Sequence, residues 1–311
     1  MIKALGVHGY LGGFSIGVKK NPNIKALGSI ETWQSAKDWS PRLGVDVLSA
    51  VEMAHYVYAN PPCARFSAMS YSKFENDMRE ELDSFPEMMD VVNVANESGA
   101  DLIHVESGPM MYSQGDTLID QMADALNFTP YILMLKVCTT HAGLPQRRIR
   151  THVFFGRNPF PEMDLTAVQL PENVGAFLRE WNSTYNFEPV PSSQISDPIL
   201  YASMEKDRAV FLSTRPKIVS LYDDSTYSVV SSRHFVLLEE KRWFSVDEYA
   251  AVQGYPADGF NYAEPGIPLA MALISKSVSP SIAGYLTERI VVPYFDSGVR
   301  ESHPNLKVNL T

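Results

Sequence analysis

The chain has 311 residues, with 36 acidic against 26 basic side chains, a formal charge of −10 and 45% hydrophobic residues. That is enough for one full α/β core plus a smaller lobe. Two cysteines exclude a disulfide framework and fit a reducing compartment. The excess of acid excludes a broad basic face, so contact with a polyanion would rest on a local basic cleft and be salt-sensitive.

In chain order, strand-like runs cover Lys3 to His8, Ile24 to Ile30, Ala54 to Ala59, Asp101 to Val105, Tyr131 to Thr139 and His152 to Phe155, separated by helical or loop segments. This alternation predicts an open α/β sheet with its functional residues along the carboxyl edge. Cys138 falls inside an apolar run and is expected in the core. After Arg157 the sequence turns Pro-rich and then β-rich, as in Ala209 to Leu212 and Tyr227 to Val230, which predicts a separate lobe over 158–240. The core would comprise 1–157 and 241–311. Ser245 and Glu248 have capping-box spacing ahead of a helix, and another helix is expected around Pro280 to Ile290. Met1 is not followed by a signal-peptide pattern, and no single apolar run approaches membrane-spanning length. The expectation is a soluble cytoplasmic protein with no membrane partner.

Three clusters carry chemistry. Gly9, Gly12 and Gly13 permit a tight strand-to-helix turn with close backbone approach to a ligand. Cys63 follows Asn60-Pro61-Pro62 at the exit of the third strand, Glu106 follows the fourth, and Gln146-Arg147-Arg148-Ile149-Arg150 leads into the last. A thiol, a carboxyl and a guanidinium suit addition of a nucleophile to a pyrimidine ring, with the resulting charge managed by the other two groups.

The order of these motifs resembles that of the DNA (cytosine-5) methyltransferases at both ends of the chain. His8 to Phe14 is similar to that family's cofactor loop, Asn60 to Ser67 to its Pro-Cys loop, Glu106-Ser107-Gly108 to its Glu-Asn-Val, and Pro145 to Arg150 to its Gln-x-Arg-x-Arg. Arg242 to Pro256 and Ile274 to Pro280 resemble its last two motifs. The resemblance implies a Rossmann-like fold with a mixed, mostly parallel sheet and a small β-rich target-recognition lobe. It further implies Cys63 as nucleophile on carbon 6 of a flipped-out cytosine, Glu106 at N3, Arg150 at O2, and Arg148 and Gln146 ordering the loop. A sulfonium cofactor would be held by His8, Gly9, Tyr10, Gly12, Gly13, Glu31, Trp33, Asp46, Lys276 and Ser277, without metal. DNA would meet Arg65, Ser67, Gln146, Arg215 and Lys217, the protein acting as a monomer in a bacterial or phage-infected cell.

Departures from the pattern are informative. Gly6, Ala64 and Ser107 replace a frequent Asp, Gln and Asn. Lys276 stands where the family has a neutral Asn near the transferred group. An ammonium beside a sulfonium calls for an intervening anion, which S-adenosylmethionine carrying a carboxyl on its transferred methyl (carboxy-S-adenosylmethionine) would supply, giving 5-carboxymethylcytosine. The alternatives are ordinary cytosine-5 methylation from S-adenosylmethionine, a tRNA cytosine-5 methyltransferase, and a catalytically silent DNA-binding subunit.

Overall fold

The computed structural model describes residues 1–62, 66, 85–182, 217–231, 234–240, 242–258, 260–297 and 305–311. Its centre is a seven-stranded sheet of β1 (Ile2–Val7), β2 (Ile24–Ile30), β3 (Tyr56–Ala59), β4 (Leu102–Ser107), β5 (Tyr131–Cys138), β7 (Ile149–Gly156) and β12 (Asn305–Leu310). The spatial order is β12-β5-β7-β4-β3-β1-β2, and only β7 runs antiparallel to its neighbours. The first five predicted strands fall where expected to within two residues, and the sixth, β7, begins three residues earlier. β12 was not anticipated, because its alternating exposed and half-buried residues form an edge that pairs with a strand some 170 positions earlier.

Side chains alternate between the two faces of the sheet. Val57, Ala59, Ile103, Val105, Val153 and Phe155 point to one face, covered by α3 (Pro86–Ser98) and α4 (Asp116–Ala125). Tyr56, Tyr58, Leu102, Leu133, Leu135 and Phe154 point to the other, covered by α1 (Gly13–Lys19) and α8 (Pro280–Leu286). The chain leaves β1 toward β2 on one side and returns to β3 on the other. The crevice at the carboxyl ends of β1 and β3 is thus the switch point where open α/β sheets take ligands.

A third cluster joins the smaller sheet to the rest. β8 (Lys217–Val219), β10 (Phe235–Leu237) and β11 (Arg242–Trp243) form it, and Val219, Phe235 and Leu237 pack with Tyr249 and Ala250 of α6 (Val246–Gln253) and Met271 and Ile274 of α7 (Ile267–Lys276). A second link is β6 (Gln146–Arg147), which pairs with β9 (Thr226–Tyr227). The strand expected from Tyr227 to Val230 is confined to β9, and Ala209 to Leu212 lie outside the described residues. Helix α6 starts with the expected capping box between Ser245 and Glu248, worth about 1 kcal/mol.

The apolar stretch Ile267–Asp296 is long and hydrophobic enough to cross a membrane by length and composition, at a mean hydropathy of 1.2, which corrects the sequence expectation. Ser277 to Ser279 interrupt it, and Ile274, Val278, Ile282 and Leu286 are buried in the protein's own core.

Candidate active site

Where β1 ends, the chain enters a strained turn. His8 and Tyr10 have φ of 55° and 54°, and Gly12 a φ of 80°; a left-handed conformation costs an ordinary side chain about 1–2 kcal/mol. Glu31, at the end of β2, holds the turn in place. Its Oε1 accepts from the Gly9 N–H and from Ser29 Oγ, each at 2.6 Å. Burial pushes the Glu31 carboxyl up to about 7, against the lowering effect of those hydrogen bonds. From the other side Ser277 Oγ accepts from the Leu11 N–H at 2.8 Å and donates to the Gly9 carbonyl at 3.4 Å. At Gly13 a Cβ would lie 2.0 Å from the Val278 carbonyl oxygen, so glycine is what lets α1 approach the segment after α7.

Aromatic residues line the mouth of this turn. Tyr10 and Trp33 meet edge to face at 5.6 Å, and the Lys276 ammonium lies 4.5 Å from the Trp33 ring centre and 6.0 Å from that of Tyr10. Lys276 is exposed and forms no ion pair among the described residues. Asn60 Nδ2 donates to the Lys276 carbonyl at 2.6 Å, tying the end of α7 to the exit of β3. His8 is buried, and its ring faces Thr32 Oγ1 at 3.2 Å and Asp90 Oδ2 at 3.4 Å. Burial lowers its pKa. Asp46 is exposed, and its backbone carbonyl accepts from the Ser29 N–H.

At the ends of β4 and β7 sits the second half of the site. Glu106 is buried, with Oε1 3.1 Å from Arg150 Nε. Burial raises the Glu106 pKa, opposed by Arg150 and Arg148. Arg148 donates to the carbonyls of Ser275 at 2.8 Å, Ser277 at 3.4 Å and Val229 at 3.3 Å, so it ties the end of α7 and the segment at Val229 to the turn just before β7. Gln146 is fully buried, and neither end of its amide has a hydrogen-bond partner among the described residues. Arg147 Nε donates to Ser225 Oγ at 2.9 Å, and Lys217 Nζ sits 5.2 Å from the Tyr227 ring centre. Cys63, Arg65, Ser67 and Arg215 lie outside the described residues. Glu31, the Gly9 turn, Lys276, Asn60, Glu106 and Arg150 are all placed at the carboxyl edge of the sheet. Sequence reading missed Ser29 and Asn60, which act through hydrogen bonds that no motif announces, and a buried histidine pair behind Glu106.

An adenosyl sulfonium cofactor can be tested against these groups. A carboxyl close to a strained backbone turn, an aromatic face and an unpaired cation match ribose hydroxyls, adenine and a carboxylate respectively. The residues fit, although Lys276 stands over the Trp33 ring that adenine would use and must yield that face.

No protein-family model matches the sequence, and no curated protein matches it. Solved structures do. A protein described as a DNA modification methyltransferase encoded within an E. coli prophage superposes with a TM-score of 0.65 at 14% identity, over 92% of this chain and 97% of that one. The Entamoeba histolytica methyltransferase EhMeth gives 0.64 at 17% identity, over 95% and 98%. The S. pombe Dnmt2 methyltransferase gives 0.60 at 11%, over 92% and 96%. Over nearly its whole length, and nearly the whole of theirs, this chain has the Rossmann-like fold of these methyltransferases.

Proposed function

We propose that the protein alkylates carbon 5 of cytosine in DNA, using a sulfonium cofactor held at the Gly9 turn. The observation that carries this reading is the buried Glu106–Arg150 pair, set at the sheet edge beside the strand that leads to Cys63. The name of the prophage neighbour supports DNA as the substrate. The Cys63 thiolate adds to carbon 6 of an extruded cytosine, forming an S–C6 bond and turning carbon 5 into an enamine nucleophile. Glu106, its pKa raised by burial, donates its carboxyl proton to N3, and the Arg150 guanidinium stabilises the negative charge growing at O2. When bound, the cofactor supplies the alkyl group that carbon 5 takes. Loss of the carbon 5 proton then expels the thiolate and restores the ring. DNA containing 5-fluorocytosine has no such proton to lose, so it is expected to trap a covalent complex with Cys63. A Cys63→Ser protein should trap none, and failure of the wild-type protein to trap would refute this reading.

The finer reading is carboxymethyl transfer from carboxy-S-adenosylmethionine to give 5-carboxymethylcytosine. Lys276 favours it, as a cation between Trp33 and Tyr10 with no carboxylate partner among the described residues. An ion pair near 4 Å is worth about 4 kcal/mol at an effective dielectric of 20. Half of that surviving desolvation is roughly 30-fold in selectivity.

A further inference from the structure

Behind Glu106 runs a hydrogen-bond chain that the reaction as written does not use. Tyr56 Oη lies 2.9 Å from His104 Nδ1, and His104 Nε2 lies 2.9 Å from His152 Nδ1. All three side chains are completely buried. Burial drives the pKa of both imidazoles down, that of His152 to about 3, and that of the Tyr56 phenol up, so none of the three is charged.

With all three neutral, the direction of the chain follows from where the buried phenol proton goes, and Tyr56 Oη has His104 Nδ1 as its hydrogen-bond partner among the described residues. The phenol keeps its proton and has His104 Nδ1 as acceptor, so His104 carries its own proton on Nε2 and donates to His152 Nδ1. His152 must then carry its proton on Nε2, and this atom has no hydrogen-bond partner among the described residues. His152 is the direct cross-strand partner of Glu106 in the antiparallel ladder of β4 and β7, on the same face. Glu106 Oε1 is likewise buried; it faces Arg150 Nε at 3.1 Å as an ion pair and accepts no hydrogen bond of good geometry among the described residues.

We propose that His152 is a positioning residue for Glu106: the Tyr56–His104–His152 chain presents an Nε2–H to one Glu106 oxygen, leaving the carboxyl proton on the other oxygen for the base. This rests on the reading of Glu106 as donor to the pyrimidine. The other ionisable groups that act on Glu106 are Arg150 on β7 and Arg148 just before that strand; Tyr58, on the neighbouring β3 opposite His104, is engaged with Ser15 at 2.8 Å.

NMR on the full-length protein tests the proposal without any turnover. Nitrogen-15 shifts should show the Nε2–H tautomer for His152. Carbon-13 titration of the Glu106 carboxyl should give a midpoint about one pH unit higher in His152→Leu, because the charged form loses a donor, and a smaller rise in His152→Gln, which keeps an N–H. Tyr56→Phe should release the tautomer into a mixture, and this variant decides the matter if His152→Leu does not fold. An Nδ1–H tautomer in the wild type, or an unmoved Glu106 midpoint in folded His152→Leu, overturns the proposal. If the midpoint moves while the alkaline limb of the DNA alkylation rate stays put, the His152 contact stands and it is the role given to Glu106 that fails.

Discussion

Lys276 and Glu31 show how much a single side chain decides here. Lys276 is exposed yet held over Trp33, and on the proposed reading a cation in that place would discriminate between cofactors that differ by one carboxylate. Lys276→Asn is expected to lower preference for carboxy-S-adenosylmethionine over S-adenosylmethionine by at least tenfold, measured as the ratio of products in competition; an unchanged ratio would remove Lys276 from selection. For Glu31 the expected effect is on stability. Its folded pKa of about 7 lies above the ordinary 4.5, so between those pH values the native state holds a proton that the unfolded chain has lost. Its contribution is therefore fully present below about pH 4.5, declines as the pH rises to about 7, and stays lost above, a change of about 3 kcal/mol. Glu31→Gln should flatten this part of the pH dependence in urea unfolding at pH 5 and pH 8, compared with wild type.

At the level of elements, the strands and the capped helix were legible because each has a local signature. Ile24–Ile30 reads as a strand from its own residues, and Ser245 with Glu248 marks a helix start by spacing alone. What stayed hidden depends on register between distant segments. His104 and His152 are unremarkable in sequence, and only the antiparallel pairing of β4 with β7 sets them behind Glu106. Arg148 likewise reads as part of a basic motif, yet its guanidinium binds the carbonyls of Ser275 and Ser277 at the end of α7 and of Val229. The join between α1 and the segment after α7 is equally tight. Gly13→Ala would drive a Cβ against the Val278 carbonyl, and should lower stability by roughly 2–3 kcal/mol, seen as a reduced urea midpoint with an unchanged slope.

For the whole molecule, a charge of −10 constrains how DNA would be held on the proposed reading. Each neutralised phosphate steepens the fall of log K with log salt by about 0.9, so a protein with only a local basic cleft should show a slope of magnitude below about 4. Binding isotherms at several salt concentrations check this, and a much steeper slope would mean a larger cationic surface than this account allows. The fold places the Gly9 turn, Lys276, Glu106 and Arg150 on one sheet edge, and the central claim is that this edge alkylates cytosine at carbon 5. The most direct test is mass spectrometry of nucleosides from cytosine-containing DNA incubated with the protein, S-adenosylmethionine and its carboxylated analogue together. The account predicts cytosine substituted at carbon 5, with 5-carboxymethylcytosine predominating; 5-methylcytosine alone would contradict the role given to Lys276, and unmodified cytosine with both cofactors would contradict the central claim.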